Sequence, residues 1–250
     1  EAASALYQFV WHEFCDWYLE TIKPRLFEEG EGGDPARQVS LFVLRRLLAL
    51  LHPFMPFVTE EISSRLPGTQ GMLVKGPYPV PDERWRDDDA EEQMNLIIEI
   101  VNTVRTIRGE MNIKPGLEVD VMVRKLSPEK TAFLGSVSPV IERLARAGSL
   151  DLGDDLPPKE SATVPISCGE LYVPLAGVVD FRAELKRIEK AIARVEKDIV
   201  RYEKKLSRKD FLERAPVEVV AKNRRILAES VEKRDYFARS RDRVVSWLED

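Results

Sequence analysis

The sequence predicts a mainly α protein with a small α+β segment and a C-terminal antiparallel coiled-coil hairpin. Three observations predict it. Apolar residues recur at helical spacing over most of the chain, the period switches to alternation after Pro115-Gly116, and from Phe181 onward it locks into heptads. The chain has 250 residues, of which 44% are hydrophobic, enough for a packed core in one large or two to three small domains. Charged residues make up 32%, above the usual quarter, which suits long solvated helices.

The first helix is written in aromatics. Leu6, Phe9, Val10, Phe14, Trp17 and Tyr18 share one helical face, and Pro24 is expected to end it. Gly30, Gly32 and Gly33 predict a loop, and Asp34-Pro35 reads as an N-cap with proline at the first helical position. Leu41, Leu44, Leu47, Leu48 and Leu51 continue that helix to His52. Pro53 and Pro56 interrupt it before a further helical piece from Phe57 to Leu66, so a kink or two joined helices is expected. Pro67 to Pro81 is a proline- and glycine-rich loop. The acidic run Asp87 to Glu92 then opens a helix carrying Met94, Ile97, Ile98, Val101, Val104 and Ile107, with Arg105 and Arg108 at its other end, an arrangement that suits the helix dipole.

Alternation of Leu117, Val119, Val121 and Val123 predicts a strand. Phe133 to Ala147 reads as helix, and Val164–Ser167 and Leu171–Val173 as two strands around Cys168-Gly169-Glu170. In the last segment Phe181, Leu185, Ile188, Ile192, Val195, Ile199, Tyr202 and Leu206 are separated by alternating fours and threes. The turn falls over Ser207–Arg214, and Pro216 starts a return helix. Val217, Val220, Leu227, Val231, Ala238, Val245 and Leu248 are its expected seam, with Arg224, Arg234 and Arg241 on seam positions as well. So short a connection makes the pair antiparallel. Three segments follow: 1–114, 115–179 and 180–250.

Composition excludes several functions. Two cysteines, Cys15 and Cys168, make neither a disulfide framework nor a cysteine zinc site, and they fit a reducing, cytoplasmic setting. No apolar run reaches the ~18 residues of a membrane span, and two histidines leave little for histidine metal chemistry. No phosphate loop, nucleophile motif or metal-spaced pair is present. His12 and Cys15 lie one helical turn apart, but they read as part of a packed aromatic helix rather than a thiolate pair, and His52 reads as a helix-end residue.

Charge is distributed unevenly. Residues 181–250 hold 20 Lys+Arg against 14 Asp+Glu, a net +6, while the first 180 carry −11 of the overall −5. Arg201, Lys204, Lys205, Arg208 and Lys209 approach the hairpin tip, and Arg214, Lys222, Arg224 and Arg225 return from it. Such density points to a polyanion, with ordinary solvation and i,i+4 pairs to Glu203, Glu213 and Glu218 as the plainer reading. Phe211 and Leu212 place an apolar tip between them.

Phe14-Cys15-Asp16-Trp17-Tyr18-Leu19-Glu20 with Lys23-Pro24 resembles the anticodon-binding region of valyl-tRNA synthetases. Leu51-His52-Pro53-Phe54-Met55-Pro56-Phe57-Val58-Thr59-Glu60-Glu61 resembles a signature shared by the class I synthetases for valine, isoleucine and leucine. Arg105-Thr106-Ile107-Arg108-Gly109-Glu110-Met111-Asn112-Ile113, Pro174 to Asp180 and Phe211-Leu212-Glu213-Arg214-Ala215-Pro216 again resemble the valine family.

This resemblance implies a partial anticodon-binding bundle and an arm that leans on the outer corner of the valine tRNA. It also implies a non-catalytic region without cofactor, in a parent ligase that uses ATP with magnesium. The catalytic and editing domains of that ligase are expected outside this chain. Leu19 joins the hairpin cations as an implied RNA contact. A bundle lacking its first helices is expected to expose apolar neighbours of Leu44, Leu48 and Ile98 and to self-associate. A coiled-coil protein-interaction module is the alternative reading.

Overall fold

The computed structural model describes residues 1–27, 34–209, 211 and 215–249. The expected loop glycines Gly30, Gly32 and Gly33, the Asp34 side chain, and Leu212, Glu213 and Arg214 lie outside the described set. The chain divides into two compact units, 1–101 with 137–145, and 102–136 with 146–250. Helices predominate, as the sequence predicts.

The first unit opens with α1 (Ala2–Gln8), which continues as a π-helical stretch, Phe9–Leu19, into α2 (Glu20–Leu26). The wider π turn was not legible from spacing. Phe14 is buried and stacks on Tyr18 at 5.7 Å between ring centroids. His12 Nδ1 lies 3.3 Å from Asp16 Oδ2, so its side-chain partner is the carboxylate one turn on rather than Cys15. Contrary to expectation, Pro24 does not end the helix but sits inside α2. A proline has no N–H for the carbonyl four residues back, here Glu20. Arg143 donates to that carbonyl at 2.5 Å and to the Thr21 carbonyl at 3.3 Å. The orphaned acceptor is thereby satisfied and the helix runs on.

Helices α3 (Asp34–Leu51) and α4 (Pro56–Ser64) are the two joined pieces that the prolines predict. His52 Nδ1 lies 2.8 Å from Thr59 Oγ1, and that buried hydroxyl donates to the Met55 carbonyl at 2.8 Å. The Glu60 carboxylate accepts the amides of Leu73 and Val74 at 2.8 and 3.4 Å, which ties the following loop to α4. The His-Pro-Phe-Met-Pro-Phe run therefore builds a corner. The expected exposed apolar face is partly corrected: Leu48 is 4% exposed, and Leu44 and Ile98 are half-buried. Phe54, Val58, Ile62 and above all Phe57, 90% exposed, face solvent instead. Helix α5 (Asp88–Glu110) enters this unit through Val101 and buries Leu96, Ile97, Ile100 and Val101.

The second unit holds a four-stranded sheet in the order β2-β1-β4-β3. Its strands are β1 (Val119–Arg124), β2 (Ala147–Asp151), β3 (Ser161–Ile166) and β4 (Gly169–Pro174). β1 and β2 are parallel, joined through α6 (Pro128–Ala145), and the other pairs are antiparallel. Ala147 thus begins a strand rather than ending a helix, and β2, with Gly148 and two polar residues in five, carried no alternation to announce it. Val121, Val123, Leu171 and Val173 are fully buried. Ile166 pairs with Gly169 across Ser167-Cys168. A Cβ on Gly169 would stand 2.2 Å from the Arg124 carbonyl oxygen, so only glycine fits. The buried Arg124 guanidinium donates to the carbonyls of Asp155 and Asp151 at 2.7 and 3.0 Å and to Asp151 Oδ2 at 2.5 Å.

Helices α7 (Phe181–Leu206) and α8 (Val217–Glu249) form the hairpin. Asp180 caps α7 by accepting the Ala183 amide at 3.0 Å. The α7 seam is as predicted: Ile188, Val195 and Ile199 are buried, and none of the other five seam residues is exposed. Phe181 meets Trp247 at 5.5 Å between centroids, and Lys205 meets Asn223, so the helices run antiparallel. The α8 seam differs from expectation. Val217 is 84% exposed, Arg224 faces solvent, and the buried positions are Asn223, Ser240 and Val244. Two small polar residues in the seam hid its period.

Replacing Gly169 by alanine is expected to cost about 1–3 kcal/mol through overpacking, read as a lower urea midpoint. Acid should also weaken the sheet. The Gly153 amide and then Arg124 hold Asp151 below the ordinary carboxylate value, and Lys125 and then Tyr172 do the same for Glu170. Unfolded carboxylates then bind protons more readily than folded ones. The stabilisation is present above the ordinary carboxylate range and is lost as pH falls through the depressed values. Carboxyl NMR titration of Asp151 and Glu170 checks it, and curves at ordinary values would refute it.

Candidate nucleic-acid interface

The hairpin brings the sequence-predicted cations onto two antiparallel helices. Arg201, Lys204, Arg208 and Lys209 are exposed on and just after the end of α7, and Lys222, Arg224 and Arg225 on the start of α8. They are not equally available. Lys205 donates to Asn223 Oδ1 at 3.2 Å and lies 4.8 Å from the Phe211 ring centre. Arg201 lies 5.9 Å from the ring centre of Tyr202. Arg225 donates to Glu229 Oε1 at 2.7 Å, an exposed i,i+4 pair worth only a few tenths of a kcal/mol.

Asn223 is the polar pin of this region. Its amide donates to the Val219 carbonyl at 2.6 Å while its carbonyl accepts from Lys205 across the hairpin. One buried Asn in an apolar seam fixes register, because any slip leaves it without partners. The cations of the two helices are therefore held in one relative register.

The foot of the hairpin is held by charge. Glu184 is 5% exposed, and Arg187 donates to both its oxygens at 2.6 and 2.7 Å. The same guanidinium reaches the Glu110 carbonyl at 3.4 Å. Glu110 also takes the Tyr236 hydroxyl, and Arg243 stands 3.8 Å from its carboxylate. Burial first, and then Glu110, pushes the Tyr236 phenol up from its ordinary value. Glu110 ends α5, so the foot is tied to the helix that enters the sheet.

Two further positions are placed by their local packing. Arg108 is more than the helix-end cation that its place in the sequence suggests. It is 8% exposed and donates to the carbonyls of Leu117, Lys114 and Arg146 at 2.7, 3.2 and 3.3 Å. Burial, and then the charge of Arg146, lowers its pKa. It staples the α5–β1 turn, a role its place at a helix end did not reveal. Leu19 lines an apolar groove of about 370 Å³ with Phe14, Leu41, Leu44 and Leu48. Among the described residues no group of three or more His, Cys, Asp or Glu side chains is placed to hold a metal, and no helix is long and apolar enough to cross a membrane.

Residues 1–123 match the family described as an anticodon-binding domain of tRNA ligase, and residues 180–243 that described as a valyl tRNA synthetase tRNA binding arm. The chain is 44% identical over 226 residues to a valine–tRNA ligase of Nitratidesulfovibrio vulgaris, covering 90% of this chain and 26% of the relative. It is 39% identical over 250 residues to that of Geobacter sulfurreducens, covering 98% and 28%. With that of Lactococcus lactis it shares 40% over 236 residues, covering 94% and 26%. The chain thus spans about a quarter of the length of the curated relatives it matches.

Removing Arg187 is expected to leave the buried Glu184 charge uncompensated. The Arg187→Met change should cost up to about 3 kcal/mol, the low end for a broken buried pair, because the guanidinium is half exposed. Urea unfolding followed by Trp247 fluorescence would read it, and an unchanged midpoint would show that the foot does not depend on this pair.

Proposed function

We propose that this chain, which belongs to the valine–tRNA ligase family through its anticodon-binding and arm regions, binds the valine tRNA and positions it. It performs no bond chemistry itself. The division into an anticodon-binding segment, 1–114, a small α+β segment, 115–179, and a tRNA-binding arm, 180–250, belongs to this proposal. In it the parent protein is a cytoplasmic ligase that joins valine to its tRNA using ATP with magnesium, at a catalytic domain elsewhere. The hydrolytic editing of wrongly charged tRNA also lies elsewhere.

The observation that carries the reading is the ordered, cation-bearing hairpin. A pinned register supports Arg201, Lys204 and Lys205 on one helix, with Arg208 and Lys209 just after its end, and Lys222, Arg224 and Arg225 on the other. Arg214 joins them by sequence. Contacts from such groups to phosphates fix orientation and carry little sequence information, which suits recognition of a folded RNA by its shape. They also steer encounter electrostatically. In this proposal Leu19 makes its RNA contact from the rim of its apolar groove.

Titration with the valine tRNA tests the proposal. Binding at low ionic strength should weaken steeply as salt rises, because each phosphate neutralised releases counterions. Reversing Arg201, Lys204, Lys205 and Arg208 to Glu should weaken binding by at least about tenfold and flatten the salt dependence. Absent binding at low salt, or binding indifferent to those reversals, would favour a protein partner for the hairpin.

A further inference from the structure

Midway along the hairpin, away from the tip cations, a cleft of about 510 Å³ opens between α7 and α8. Its floor is Ala191, Val195 and Phe237, and Ser230 closes one side. Lys190 and Arg194, one helical turn apart on α7, and Lys233 on α8 stand around it, with Asp198 as its one acidic lining residue. We infer that this cleft is an RNA-backbone subsite, in which Lys190, Arg194 and Lys233 hold the phosphate of a sugar–phosphate step.

Availability, shape and rigidity support it. Availability comes first. Lys205 and Arg225 already have partners, whereas among the described residues Lys190, Arg194 and Lys233 take part in no ion pair or side-chain hydrogen bond. Three unpaired cations around one concavity, against one carboxylate, repel one another until an anion arrives. Shape is the second. The volume falls within the roughly 300–1,000 Å³ of small-ligand clefts, more room than a lone phosphate needs, and the Phe237 ring and Val195 offer an apolar floor to the sugar. The third is rigidity. Val195 in the floor of the cleft is buried in the hairpin seam, so the cations stand on fixed backbone. A phosphate is bound bidentately by the Arg194 fork and as a point charge by each lysine.

The inference rests on the tRNA-binding reading above, and the test separates the two. The unaltered chain is titrated with the valine tRNA over a range of salt, beside a Lys190→Gln, Arg194→Gln, Lys233→Gln variant and an Asp198→Asn variant. The triple variant should bind about tenfold more weakly, with a salt slope shallower by about one phosphate contact. Asp198→Asn removes the opposing charge and should bind more tightly, by about two- to fivefold at low salt. Far-ultraviolet circular dichroism should be unchanged in both, since all three cations are exposed. Inorganic phosphate alone should compete only weakly, because a polymer step and not a free anion is the ligand.

No binding by the unaltered chain would overturn this inference together with the reading it rests on. Binding that is the same in the unaltered chain and both variants would overturn the cleft alone. Saturable capture of inorganic phosphate, lost in the triple variant while tRNA binding stays unchanged, would reassign the cleft to a free anion.

Discussion

Ile188, Val195 and Ile199 set the distance between α7 and α8, and the placement of the cations on those two helices depends on that distance. Charges on a flexible chain spread to avoid one another and pay ordering entropy on binding. Charges on a seamed helical pair have already met that cost during folding. The seam is apolar for most of its length, which gives cohesion but little discrimination between registers. Asn223, bonded to Val219 and to Lys205 across the gap, supplies the discrimination. Adhesion and alignment are thus assigned to different residues, and both precede any encounter with RNA.

The α7 seam was legible because eight apolar residues keep strict heptad spacing, although Glu184 beside them is buried as well. The α8 seam was not, because Asn223 and Ser240 take buried positions while Val217 is left in solvent, so hydrophobicity and burial part company there. Pro24 misled for a related reason: local chemistry predicts a stop, and Arg143, far along the chain, removes the need for one. The β2 strand was hidden by its small and polar residues, and it is held as a parallel partner of β1 rather than by its own pattern. The proline-broken corner after His52 and the switch of period at Pro115-Gly116 could be read directly, since both rest on residues that constrain the local backbone.

The site was legible as a composition and less so as a geometry. Counting cations finds the charged hairpin, but it does not separate a cation that has a partner from one that has none. Arg108 stands beside an exposed arginine in a basic motif and is buried under four carbonyl contacts as a staple. Lys190, Arg194 and Lys233 look like ordinary solvating residues in sequence and converge only because α8 returns alongside α7. Long-range pairing creates that cleft, so no window of sequence contains it.

The fastening at the hairpin's foot has a mechanical consequence. Glu184, Arg187, Glu110 and Tyr236 are joined by directional bonds, which tolerate little rotation, where an apolar contact would let the helices slide. A rod of 26 residues is about 39 Å long. A swivel of ~5° at its base therefore carries the far end through ~3 Å, about the length of one hydrogen bond. Stiffness in four side chains at the pivot is thereby converted into accuracy at the tip, with leverage multiplying every small error that those bonds prevent.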